Sequence, residues 1–342
     1  MDSELEPIRI AGPTGGPHRV TAGTLAGVES STGGRPVTRL GCWLQGPWPY
    51  AEGEDPAGPG GRADPGGSPV LDRVAAFAAL AEVSGFDSLW VTDQVSSPRG
   101  GTPVPTGPEA YSLLGALAAR TRRARLGAIP LAIDGRPPSM VAKIVTGIDV
   151  ISHGRGVLTY GLGPADAVRG ARVTEYLRVG RSMLEDESPT FRGNFYSVLD
   201  AMNRPGPVQD GGVPVVVFIE SPSELAQVAV SEFVGLADAV IVGGGVDEVR
   251  QVVDQVRSVV RQRHHNEGSE IAPLQVIGVG PVSEGPGPHD PRPGQAAASA
   301  AAWAVESVRD LFGAGVDGCI VPLEMTAPDE LLQAIGAGLG AV

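Results

Sequence analysis

A chain of 342 residues that is 42% hydrophobic has material for a substantial core, as one large α/β domain or two smaller ones. Its formal net charge of −13 repels phosphate backbones and excludes nucleic acid as a natural partner. The sequence has no apolar run of the roughly 18 residues that a membrane span needs, and its acidic start, MDSELEPIRI, lacks a signal-peptide pattern, so a cytoplasmic location is expected.

Residues 1–35 carry Gly, Thr, Ser and Pro with little periodicity and are expected to form an irregular N-terminal extension. Residues 36–342 are expected to be one folded domain, with a Gly/Pro-rich loop insertion at 45–68. Inside that domain, short apolar runs alternate with helically periodic ones. The predicted strand 37–43 precedes a helix at 70–83. Strand 86–93 precedes helix 108–121, with proline in its first turn. Strand 124–132 precedes helix 138–152, and strand 156–163 precedes helix 173–184. The run VPVVVFIE at 213–220 is apolar throughout, as a strand buried on both faces should be. Helix 222–234 follows it. Strand 237–244 with helix 247–263, strand 274–282 with helix 296–313, and strand 317–324 with helix 328–335 complete the order.

Eight βα units predict an α/β fold of the (β/α)8 TIM-barrel type. Closure would set Cys42 and Cys319 on adjacent strands, one and eight, where buried thiols in a reducing compartment stay reduced. The five histidines show no ligand spacing with carboxylates or cysteines, so no metal is expected.

Barrel active sites lie at the C-terminal strand ends. That rule nominates Trp43 and Gln45 after strand one, Asp93 and Gln94 after strand two, and Ile129 and Pro130 at strand three. Gly161, Gly163 and Asp166 follow strand four, Glu220 and Ser221 strand five, Gly243 and Gly244 strand six, and Glu324 strand eight. Asp93 reads as a turn cap or a reacting carboxylate. Trp43 reads as a packing residue or a surface on which a ring stacks. The glycine pairs read as tight corners or as N–H cradles for phosphate. Ser221 suits a helix N-cap, while Glu220 beside it puts negative charge where a phosphate would sit.

The segments EVSGFDSLWVTDQ, ALAARTRRARLGAIP, RPPSMVAKIVTGIDVISHGR followed by GLG, PTFRGNFY and LADAVIV occur in order across about residues 37–340. Together they resemble the bacterial luciferase-like monooxygenases and their deazaflavin (F420) dependent relatives. The resemblance implies a homodimeric barrel binding reduced F420 or FMN at its C-terminal face, for hydride transfer or oxygen activation on a small organic substrate. It assigns Asp93, Gln94 and Asp166 to substrate orientation and proton handling. It assigns Trp43, Ile129, Pro130, Gly161, Gly163, Glu220, Ser221, Gly243 and Gly244 to the cofactor. It also implies a cis peptide at Ile129–Pro130, cheap for an X–Pro bond, as a floor beneath the ring. The chain departs from the family pattern at three places. Gln94 stands where a histidine is frequent and cannot exchange a proton near pH 7. Asp166 stands for a longer glutamate in a shortened loop, and Glu220 stands where small residues meet the cofactor phosphate. The alternative reading is a divergent family barrel that has lost the flavin site, working without cofactor or as a non-catalytic partner.

Overall fold

A computed structural model describes residues 37–46, 69–93, 107–130, 136–162, 168–209, 212–220, 230–232, 234–267, 273–280, 293–325 and 327–339. Eight of its strands are parallel and close into a barrel: β1 (Leu40–Gln45), β2 (Ser88–Asp93), β3 (Arg125–Pro130), β4 (Gly156–Gly161), β7 (Val215–Ile219), β8 (Ala239–Val242), β9 (Gln275–Val279) and β10 (Gly318–Glu324). Around them lie α1 (Pro69–Val83), α2 (Ala110–Arg120), α3 (Pro138–Ser152), α4 (Arg169–Glu185), α5 (Val246–Glu267), α6 (Pro293–Gly313) and α7 (Asp329–Leu339). The order is the predicted βα alternation, so the chain forms a (β/α)8 barrel. The helix expected at 222–234 lies mostly outside the described residues; its end is a 3-10 turn, Val230–Glu232. The N-terminal extension falls outside the described residues, as does the loop insertion apart from Gln45 and Gly46. None of the described helices is long and apolar enough to cross a membrane.

Alternation within the strands sorts side chains into two cores. Trp43, Trp90, Ile129, Val157, Val216, Phe218, Ile241, Ile277 and Ile320 fill the barrel. Leu40, Cys42, Leu44, Leu89, Val91, Val217 and Val321 face the helices. Both cysteines are buried free thiols, and burial pushes Cys319 up to about 12. The β1–β10 register pairs Cys42 with Val321 and Leu40 with Cys319, so the two are diagonal neighbours.

A recurring sequence device ties the N-terminal rim. In FDSLWV, ADAVIV and VDGCIV an aspartate stands one residue before a strand. Asp87 accepts from the backbone N–H of Arg39 and Leu40, at the start of β1. Asp238 accepts from Val215 at 2.7 Å, at the start of β7. Asp317 accepts from Val276 at 2.8 Å, in β9. In each pair the aspartate N–H also donates to a backbone carbonyl of that same strand, at Leu40, Val215 and Val276. Each aspartate thus satisfies strand-end donors that would otherwise be orphaned.

One element went unread in the sequence. β5 (Phe191–Arg192) and β6 (Ser197–Val198) form a two-stranded hairpin between α4 and β7. Two residues per strand are too few for a periodic signal. The Glu175 carboxylate on α4 holds its turn, accepting from the N–H groups of Asn194, Phe195 and Tyr196 at 2.7, 2.8 and 3.1 Å. Desolvation works against ionisation, yet these three donors hold the carboxyl below the usual glutamate range. A depressed folded-state value stabilises above the unfolded one and loses that stability as pH falls through the folded one. Protection of the amides of residues 194–196, relative to their intrinsic exchange at each pH, should therefore fall below the ordinary glutamate range, and Glu175→Gln should show the reduced protection at neutral pH. Unchanged protection in the variant would show that the turn holds without the carboxylate.

Candidate functional site

The C-terminal mouth of the barrel is built from inward-facing residues at the strand ends. Trp43 and Phe218 cross the lumen edge to face, with ring centroids 6.4 Å apart at 76°. The Trp43 indole N–H donates to Thr92 Oγ1 at 3.0 Å. Ile129 is fully buried in the same core. Gly161 continues the inward series Val157, Thr159 on β4, so no side chain occupies that position of the mouth. The Thr159 hydroxyl below it is buried and has no hydrogen-bond partner. A buried polar atom of this kind is uncommon and marks a place where a ligand atom can complete a bond.

Asp93 does not face this lumen. It shares the outward parity of Leu89 and Val91, while Trp90 and Thr92 point in. Its carboxylate accepts from Arg136 at 2.6 Å. The same guanidinium reaches Glu109 at 2.7 Å and lies 5.0 Å from the centre of the Tyr111 ring. Glu109 also caps α2, accepting from the N–H groups of Tyr111 and Ser112. The Tyr176 hydroxyl, on α4, donates to the Arg136 carbonyl at 2.9 Å. One arginine thereby joins the end of β2 to the starts of α2 and α3 and to the flank of α4. Burial raises the Asp93 carboxyl above the usual range, and the Arg136 hydrogen bond and charge counter only part of that.

The β7–β8 side is acidic. Glu220 is exposed at the end of β7. Gly243 lies so close to that strand end that a Cβ on it would stand 2.5 Å from the Glu220 carbonyl oxygen. Gly244 has φ of 125°, a conformation that favours glycine. The Gly245 N–H already donates to Glu248 at 2.9 Å, and Asp247 and Glu248 occupy the first turn of α5. This helix start is therefore self-capped by carboxylate and offers phosphate little. Arg169 and Arg172 follow the β4 end at the start of α4, the first buried and donating to the Leu162 carbonyl, the second over the Phe195 ring.

The structure thus brings Trp43, Ile129, Gly161, Glu220 and Gly243 to one mouth, with Gly244 at its rim, and turns Asp93 away from it. Gln94, Gly163, Asp166 and Ser221 lie outside the described residues. The Ile129–Pro130 bond ends on Pro130, whose side chain is outside them too; the cis bond among the described residues is Arg204–Pro205. Thr92, Thr159, Glu109 and Arg136 were missed in the sequence. Nothing in the sequence fixes which parity of these strands faces the lumen, and nothing local announces Arg136. Among the described residues no three His, Cys, Asp or Glu side chains converge on a point where a metal ion would sit.

Residues 51–282 match a protein family described as luciferase-like monooxygenase. The chain is 31% identical over 159 residues to an F420-dependent glucose-6-phosphate dehydrogenase of Amycolatopsis mediterranei, covering 42% of this chain and 45% of that protein. A second dehydrogenase of that name, from Kineococcus radiotolerans, is 29% identical over 163 residues, covering 44% and 47%. The chain thus spans about half the length of these curated relatives. Among solved structures, monooxygenase RslO1 from Streptomyces bottropensis superposes with a TM-score of 0.64 at 16% identity, covering 89% of this chain and 99% of that one. An F420-dependent secondary alcohol dehydrogenase superposes at 0.63 and 15% identity over the same shares. These structural likenesses speak to the fold.

Proposed function

Because the chain belongs to the luciferase-like monooxygenase family, we propose that it is an oxidoreductase holding reduced F420 or FMN in the C-terminal mouth of its barrel and acting on a small organic molecule. The observation that carries this reading is the mouth itself: an aromatic wall, a glycine gap and an orphaned hydroxyl suit a flat, hydrogen-bonding ring. When bound, either cofactor supplies the redox chemistry, as hydride or by activating oxygen. The chain's own residues bind and orient. Trp43 and Phe218 would offer the ring an aromatic wall, Thr92 fixes the Trp43 indole, Gly161 would leave room, and Thr159 would supply a hydrogen bond. The self-capped Gly243–Gly245 corner would offer the cofactor phosphate little. Gln94 and Asp166 orient the substrate. Asp93 is a positioning residue that acts through Arg136. The family resemblance further suggests a homodimer, and the N-terminal sequence a cytoplasmic location.

Titration with F420 and with FMN, followed by fluorescence quenching, tests the reading. One of them should bind with Kd at or below about 10 μM. Absence of binding by both at millimolar concentration would refute it. Thr159→Val separates a ligand role from packing. It removes an unsatisfied hydroxyl at constant shape, so the free protein should keep or gain stability, by up to about 1 kcal/mol. Cofactor affinity should fall about fivefold for one lost hydrogen bond of about 1 kcal/mol. Unchanged affinity would remove Thr159 from the site.

A second reading, a barrel working without phosphate-bearing cofactor, rests on the Glu220 and Glu248 carboxylates at the β7–β8 corner. Cofactor affinity that appears only in Glu220→Gly would favour it.

A further inference from the structure

A cavity of about 400 Å³ lies outside the barrel wall, between the C-terminal ends of β9 and β10 and helices α6 and α7. It lies mainly on the helix side of the wall: Val321 and Leu323, which face the helices, line it, and it reaches the strand end at Pro322 and Glu324. It is a cleft partly open to solvent rather than an enclosed void. The sequence shows why the space is there. α6 carries the alanine-rich run AAASAAAWA, and Ala300 and Ala304, one turn apart, line the cavity together with Leu331 of α7. Branched or aromatic side chains at these two alanines would close it. Trp303 lines it as a partly buried aromatic. Glu324 and Pro328, both exposed, stand at its mouth.

We propose that this cavity is a binding site for a small neutral apolar molecule carrying an aromatic ring. The volume matches one such molecule. The aliphatic lining gives the transfer of its surface from water the usual favourable sign. Trp303 offers an aromatic edge or face for it. The apolar lining and the net charge of −13 disfavour anions. The site lies beyond the proposed cofactor mouth and does not depend on it.

The neutral fluorophore N-phenyl-1-naphthylamine, titrated into the full chain, tests this. Its emission should rise saturably to one equivalent, with energy transfer from tryptophan that falls in Trp303→Phe. Ala304→Phe, which fills the cavity, should weaken binding at least tenfold and raise the melting temperature. Ala300→Leu serves as a second filling variant should the first not fold. Thr159→Val, in the lumen, should leave the affinity within twofold, and saturating F420 or FMN should not displace the probe. Absence of saturable binding, binding untouched by the filling variants, or displacement by either cofactor would each overturn the proposal. Loss of cofactor binding alone would refute the oxidoreductase reading and leave this site standing.

Discussion

Arg136→Ala should lower the unfolding free energy by about 3 kcal/mol at neutral pH, the scale for breaking an ion pair that is largely withdrawn from water. The Arg136 and Asp93 side chains are only 20% and 11% exposed, so solvent screening discounts the pair modestly. The loss is mostly the cost of leaving the Asp93 carboxylate buried without its cation. The partner Glu109 is 45% exposed, and its contribution to the loss is small. The sign of the pH dependence follows. Burial already raises Asp93 in the folded protein, and removing the guanidinium raises it further. A raised folded-state carboxyl favours the fold below the unfolded value and loses that advantage as pH rises through the folded one. The deficit of the variant should therefore be largest at pH 7 and shrink toward pH 4. Asp93→Asn in the Arg136→Ala background should recover part of it. Urea denaturation of the four proteins of the cycle measures the coupling. A coupling below about 0.5 kcal/mol would show the pair to be an ordinary surface contact. Because Arg136 gathers the starts of α2 and α3 at the mouth, the same variant should also weaken cofactor binding, whereas a cap confined to α2 would leave it unchanged.

Gly243→Ala is expected to cost about 2 kcal/mol, within the range for forcing extra volume into a packed site. The atom in the way is the Glu220 carbonyl oxygen, 2.5 Å from the added Cβ. It belongs to backbone and cannot rotate aside. The ends of β7 and β8, joined by the Gly243 N–H to the Ile219 carbonyl at 3.2 Å, would have to part. Thermal unfolding reads the loss, and cofactor titration reads its consequence at the mouth. Gly245→Ala is the control, since its Cβ would meet only the far end of Glu248 at 3.7 Å. Equal losses in the two variants would mean that strand approach is not what selects Gly243. From its sequence context this glycine suits either a tight corner or a phosphate cradle. The close approach accounts for it, and the Glu248 cap on Gly245 takes the neighbouring donor that a cradle would use.

The fold was legible because its signals are local. A parallel strand buried on both faces reads as a short apolar run, and VVVFI and AVIV need no partner to be recognised. Helices declare themselves by a 3.6-residue period, although the proline expected in the first turn of helix 108–121 stands before α2, which Glu109 caps and which starts at Ala110. What failed was too short or too distant. The hairpin at 191–198 has no room for a period. α4 starts at Arg169, four residues ahead of the predicted 173, since its polar first turn hides the periodicity.

For the site, the same property that revealed the strands concealed their orientation. When both faces are apolar, hydrophobicity carries no parity, and a one-residue change of register exchanges lumen for helix layer. The sequence by itself determined the eight βα units, the ends at which a site must lie and the glycines and aromatics that stand there. Only the closed barrel decided that Thr92 and Thr159 look inward while Asp93 turns outward to Arg136, 43 residues away. It also decided that the alanines of α6 stand opposite β10 across a cavity. Those facts depend on how strands and helices meet in three dimensions, and no run of neighbouring residues encodes such a meeting.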